Sequence, residues 1–175
     1  MIKIINSRID ESIVPMLNDY LNPSTHEIVI NSNGGDLYYS MLLCLSVKAY
    51  NNQANSEKEE LGLFPIPNIT LVTGAYCISA ASMLFVYAHL MGVPIRINEG
   101  SRIIVHPILE DVNDGSIAAQ ICQEAWDYAS KTFMDSNPRN TDTKIILELH
   151  QFVDLMFRIG EINGGLYKIR LGQTL

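Results

Sequence analysis

The sequence predicts one α/β domain in which parallel strands are joined by helical crossovers. Three observations lead there. Short apolar runs rich in β-branched residues, such as Ile28-Val29-Ile30, end in glycine turns. Other stretches carry apolar residues at helical spacing, as Ile13, Val14, Leu17 and Leu21 do. The two kinds alternate through the first two-thirds of the chain, the pattern of a sheet whose strand-end loops carry any site.

Taken in order, residues 3–5 read as a short strand and 10–21 as an amphipathic helix. Residues 27–31 form a buried strand closed by Ser32-Asn33-Gly34-Gly35. A largely buried helix spans 36–50, with Asp36 well suited to its N-terminus. The character then changes. Residues 51–67 read NNQANSEKEE and then LGLFPIP, polar and proline-punctuated, and are expected to be an exposed insertion. A strand at 68–73 ends at Gly74, and an Ala- and Met-rich helix covers 79–89. Residues 95–97 and 103–105 read as strands around an Asn98-Glu99-Gly100 turn. A long helix spans 115–134, Asn137-Pro138 interrupts, and a second helix covers 142–154. After Gly164-Gly165 a closing strand is expected at 166–170.

The bulk numbers bound the function. At 175 residues, with 47 % hydrophobic and 18 % charged residues, the chain can bury a core without metals or disulfides. A net charge of −7 with scattered Lys and Arg argues against nucleic acid, which needs clustered cations. The three cysteines, Cys44, Cys77 and Cys122, show no ligand spacing, so no metal is expected; an odd count suits a reducing compartment. The N-terminus lacks the apolar run of a signal peptide. The most apolar stretch, 78–93, is short for a membrane span and contains Ser79, Ser82 and His89. A cytoplasmic protein without membrane contact is expected.

Three stretches supply what acyl transfer needs. Asn31-Ser32-Asn33-Gly34-Gly35 stands where a strand gives way to a helix, and paired glycines can turn an amide N–H toward a substrate. Alone, it reads as an ordinary turn. Gly74-Ala75-Tyr76-Cys77-Ile78-Ser79-Ala80-Ala81-Ser82-Met83 puts a serine at a helix start, among unpaired backbone donors. Alone, that serine is an N-cap. His106 closes an apolar strand, and imidazole is matched to general-base work near neutral pH. Alone, it is a satisfied structural histidine. The three together, in this order, are hard to obtain by accident.

Over residues 27–169 this order resembles ClpP, the proteolytic subunit of the Clp protease, with its INSPGG turn, its GxAASM segment, its strand-ending histidine and a later aspartate. The resemblance implies a crotonase-type spiral of repeated β-β-α units with a protruding handle helix, and a serine endopeptidase. Ser79 would be the nucleophile, His106 the base, and the amides of Gly35 and Ala80 the oxyanion hole. Asp154 would complete the triad, from its interval after His106 and before Gly165-Leu166-Tyr167-Lys168-Ile169, which looks like the family's closing GLIDxI; Glu148 and Asp135 are weaker candidates. Ser82 is the rival nucleophile, because Ala80-Ala81-Ser82-Met83 copies AASM literally. Ser79 is preferred because it leads the helix.

Asn33 replaces the proline of the family turn, the segment between Gly35 and Ser79 is longer, and the N-terminus is shorter. The last two touch regions that ClpP uses for its ring face and its ATPase partner. By resemblance the chain would form stacked homo-oligomeric rings through a handle at about 115–134, enclosing sites that cleave peptides or unfolded chains. It would hold no cofactor itself, ATP being used only by a possible AAA+ unfoldase. The alternatives are a catalytically silent ring subunit and a dedicated processing protease of the prohead or signal-peptide-peptidase type.

Overall fold

The computed structural model describes residues 1–63, 68–108 and 116–170. Strands β1 (Ile2–Ile5), β2 (Glu27–Ser32), β3 (Thr70–Ile78), β4 (Ile95–Arg96), β5 (Arg102–Val105) and β6 (Ile145–Leu147) form one sheet. Helices α1 (Ile13–Tyr20), α2 (Leu37–Glu60), α3 (Ala80–Met91), α4 (Ile117–Phe133) and α5 (Leu149–Arg170) connect them, and a 3-10 turn follows α4 at Met134–Ser136. The sheet order is β1-β2-β3-β5-β6. All pairings are parallel except β5 with β6. The parallel, helix-crossed sheet is the one that alternation in the sequence predicts.

β3 organises the sheet because it is long enough to serve two neighbours on one edge. Its first half pairs with β4 (Leu71 with Ile95) and its second half with β5 (Cys77 with Ile103). The expected end of this strand at Gly74 is therefore corrected: it runs on to Ile78. The reason lies in β2, where the register jumps from Ile30–Thr73 to Ser32–Cys77. The Asn31 side chain fills the bulge, its Oδ1 accepting from the Tyr76 N–H at 3.1 Å. A Cβ on residue 74 would stand 2.8 Å from the Asn31 Cβ, so this position has room only for glycine. An asparagine and a glycine distant in sequence thus bend β3 toward the site.

α3 lies at the centre of the core. Ten of its twelve residues are buried, Phe85 and Tyr87 completely. Burying each such aromatic is worth roughly 1.5–3 kcal/mol. A helix apolar on every face has to be enclosed by other elements. α2 lines one side: Ser40 Oγ donates to the Ala80 carbonyl at 2.8 Å, and Cys44 Sγ to the Leu84 carbonyl at 3.1 Å. These donors sit one helical turn apart and hold the two helices in register.

Three further boundaries differ from the sequence reading. The expected insertion begins as helix, since α2 continues to Glu60 and ends at Gly62 with φ 67°. Asn51 anchors it, with Oδ1 accepting from the Ile69 N–H (2.9 Å) and Nδ2 donating to the Ile69 carbonyl (3.2 Å). Residues 64–67 of that insertion, and Gly115 of the expected handle, lie outside the described residues. The expected helix from residue 142 is instead a tight turn followed by β6, and α5 continues to Arg170 where a closing strand was expected. Ile145-Ile146-Leu147 is too short a run to declare itself without β5 beside it. The expected handle helix, α4, buries Ala118, Ile121, Cys122 and Ala125 within its own domain. Tyr87 Oη fastens its first turn by donating to the Ala118 carbonyl at 2.7 Å.

Candidate active site

Ser79 occupies the junction between β3 and α3 with φ 59° and ψ −119°, the sole non-glycine residue with positive φ among the described residues. A side chain in that region is strained by about 1–3 kcal/mol and persists only where neighbours over-determine the backbone. They do so here. The Ser79 N–H donates to the Ile104 carbonyl of β5 at 2.9 Å. Its carbonyl accepts from the N–H groups of Ser82 (3.0 Å) and Met83 (3.1 Å).

Ser82 has a different environment. It is completely buried, and its hydroxyl donates to the Ser79 carbonyl at 2.6 Å. That bond makes Ser82 part of the clamp on the strained residue. Ser79, partly exposed, lines a cavity of about 210 Å³ together with His106, Gly35, Asp36, Arg8 and Cys122. The folded chain therefore brings together Ser79, His106 and Gly35, which arise from three separate stretches.

The glycine turn reaches the serine by close backbone packing. Ile9 and Gly35 form an isolated parallel bridge in which the Ile9 N–H donates to the Gly34 carbonyl and the Asp36 N–H to the Ile9 carbonyl, both at 2.8 Å. The Gly35 N–H stays outside that pairing. A Cβ on Gly35 (φ +148°) would fall 2.1 Å from the Ile9 oxygen, and one on Gly34 (φ +117°) would fall 3.0 Å from the Ser79 Cβ. No side chain fits at either position. Ala80, nearly completely buried, is the first residue of α3, so its N–H has no acceptor one turn back in the helix.

His106 follows directly on β5 and is partly buried. Burial lowers its pKa below the ordinary imidazole value; a hydrogen bond to the Thr143 backbone opposes this, and the Lys144 charge adds to the lowering. The antiparallel register explains these neighbours. Val105 pairs with Ile145, so one step further His106 comes opposite Lys144. The Thr141–Lys144 bridge, with the Thr141 N–H donating to the Lys144 carbonyl at 2.9 Å, holds the turn there.

Asp154, the expected third member, is exposed on α5, where its Oδ2 accepts from Tyr128 Oη at 2.8 Å, and it is not among the residues that line the cavity. Glu148 beside His150 and Asp135 in the 3-10 turn are likewise outside the cavity lining. α5 begins at Leu149, so Asp154 is carried along the helix toward Tyr128 of α4. The turn that reaches His106 belongs to the short β6, and an antiparallel strand after the long helix was the missed signal.

The thiols give no competing nucleophile. Cys122 lines the cavity and Cys77 lies in β3, but burial pushes both up to about 12. Among the described residues no group of three or more His, Cys, Asp or Glu side chains could hold a metal ion, and no helix is long and apolar enough to cross a membrane.

The fold and this site define an α/β domain with a serine presented on a strained strand-to-helix junction beside a strand-ending histidine. The fold is ClpP-like. The structure is similar to ClpP1 from Listeria monocytogenes, with a TM-score of 0.50 at 14 % identity over 88 % of this chain and 86 % of that one. A point mutant of that Listeria protein aligns over the same shares, with a TM-score of 0.46 and 13 % identity. No family model matches the chain, and no curated protein matches it.

Proposed function

We propose that this chain is a serine peptidase of the ClpP kind, with Ser79 as nucleophile and His106 as general base. The observation that carries the proposal is the strained Ser79, clamped by Ile104 and Ser82, on a cavity it shares with His106 and Gly35. A nucleophile on a sharp strand-to-helix turn has its hydroxyl exposed and its own backbone out of the way.

In this mechanism His106 takes the Ser79 hydroxyl proton as the oxygen attacks a peptide carbonyl. The carbonyl π electrons move onto oxygen, where the N–H groups of Gly35 and Ala80 receive the charge. Collapse breaks the C–N bond, and the imidazolium returns its proton to the leaving amine. Water then repeats the sequence on the acyl-serine. The lowered pKa of His106 keeps the ring neutral, and so able to accept, at neutral pH.

The fold likeness further supports a homo-oligomeric assembly, cytoplasmic and of stacked rings in the spiral-and-handle form, that admits peptides or unfolded polypeptides. An AAA+ unfoldase would be its partner for folded substrates. A silent ring subunit is favoured by one observation, the Lys144 cation beside His106. A fluorophosphonate probe decides between them. Labelling of the wild type and of Ser82→Ala, lost in Ser79→Ala and His106→Ala, is the expected result. No labelling of a folded wild type leaves the silent subunit.

A further inference from the structure

We propose that Arg8 is a specificity-determining residue of this site, selecting peptide bonds that have a carboxylate beside them. This rests on the peptidase reading above and names the substrates that the site prefers. Arg8 lines the same cavity as Ser79, His106 and Gly35. Two fixed points hold its main chain there. On one side Asn6 Oδ1 accepts from Asn31 Nδ2 at 2.8 Å, and Asn31 is also the residue that fills the bulge against β3. On the other side the completely buried Ile9 is bridged to Gly35, the residue assigned to the oxyanion hole. The Arg8 main chain is therefore tied to the turn that receives the scissile carbonyl, while the residue itself stays exposed to an arriving peptide.

An arginine in this place suits one kind of partner. Its planar guanidinium donates two parallel N–H bonds to the two oxygens of a carboxylate, a match that an amide does not make. Leu37, Pro107 and Ile108 give the cavity apolar walls, and a charge pair beside apolar surface is stronger than one in open water. Two acids of the same loops are engaged elsewhere. Asp10 Oδ1 accepts from the Ser12 N–H at 2.9 Å, and Asp36, which also lines the cavity, caps α2 by accepting from the Tyr38 N–H at 2.9 Å. The field of the whole chain works the other way. With a net charge of −7 it disfavours acidic peptides at long range, so a preference for them has to come from a local cation. The carboxylate has two sources, an Asp or Glu side chain and the C-terminus of the substrate, and both present the same pair of oxygens.

The test digests a defined pool of unstructured peptides, made once with free and once with amidated C-termini, and maps the cleaved bonds by mass spectrometry. In the wild type, Asp and Glu next to the cut are enriched about tenfold over Asn and Gln, which assigns the side chain. Cuts near the C-terminus that disappear on amidation assign the terminal carboxylate. Arg8→Gln loses the preference, Arg8→Lys retains part of it, and Arg8→Glu turns it toward Lys and Arg. Arg8 is exposed, so these variants keep the fold, and a structural defect would slow all cuts alike without moving their ratios. A preference that survives Arg8→Gln overturns the inference. A wild type that a fluorophosphonate labels, but that cuts none of the peptides or cuts them without regard to carboxylates, keeps the peptidase reading and overturns the role of Arg8. A wild type that is neither labelled nor able to cut loses both.

Discussion

Replacing Ser79 by glycine and by alanine separates backbone strain from chemistry. Both substitutions remove the hydroxyl, so both abolish labelling by a fluorophosphonate. They differ in what they do to a residue held at φ 59° and ψ −119°. Alanine keeps the Cβ that makes this region costly, about 1–3 kcal/mol for a non-glycine residue. Glycine relieves that strain but adds freedom to the unfolded chain, a loss of about 0.4–1 kcal/mol. The net expectation is that Ser79→Gly is more stable than Ser79→Ala by about 1 kcal/mol. For a chain of 175 residues this raises the melting temperature by about 2–4 °C. Calorimetry of the two variants at one protein concentration measures it. A Ser79→Gly protein that melts below Ser79→Ala refutes the strain, and with it the reason the hydroxyl is presented to the cavity.

The other predictions use the same reasoning. Asn51→Ala leaves the Ile69 N–H and carbonyl without their side-chain partners in a buried place, so urea unfolding should show a loss of about 2–4 kcal/mol. Labelling of Ser79 should be complete at neutral pH and fall only as acid protonates His106, at a pH below that for an ordinary histidine, because burial lowers its pKa. Linkage has a matching sign: the unfolded ring protonates first on acidification, so this residue's contribution to stability is lost as pH falls below the unfolded value. Arg96→Ala breaks the pair with Glu27, whose guanidinium partner is more than half exposed, and should cost less than about 1 kcal/mol by denaturant titration.

Much of the architecture could be read from the chain before folding. Apolar periodicity located β2, β5, α1 and α3, because those signals come from burial along one element. The glycine pair after β2 and the serine opening α3 could also be recognised, since a tight turn and a helix start restrict which residues fit. What remained hidden depended on contacts between elements. The course of β3 past Gly74 depends on the Asn31 side chain from another strand, and β6 exists because β5 offers it an edge. Asp154 has a plausible spacing from His106, yet α5 carries it to Tyr128.

The choice between Ser79 and Ser82 shows the same division. By sequence, two serines three residues apart at a helix start are nearly equivalent. In the folded chain one of them is buried and bonded to the other's carbonyl, while the second stands strained at a cavity. The sequence by itself determined the order of elements from β1 to α4 and the residue types able to do acyl-transfer chemistry, because these follow from local pattern and side-chain character. Only the tertiary structure decided which serine shares a cavity with the imidazole, and that Asp154 is carried to Tyr128. Those outcomes depend on strand register and helix packing, which bring together residues that no spacing along the chain connects.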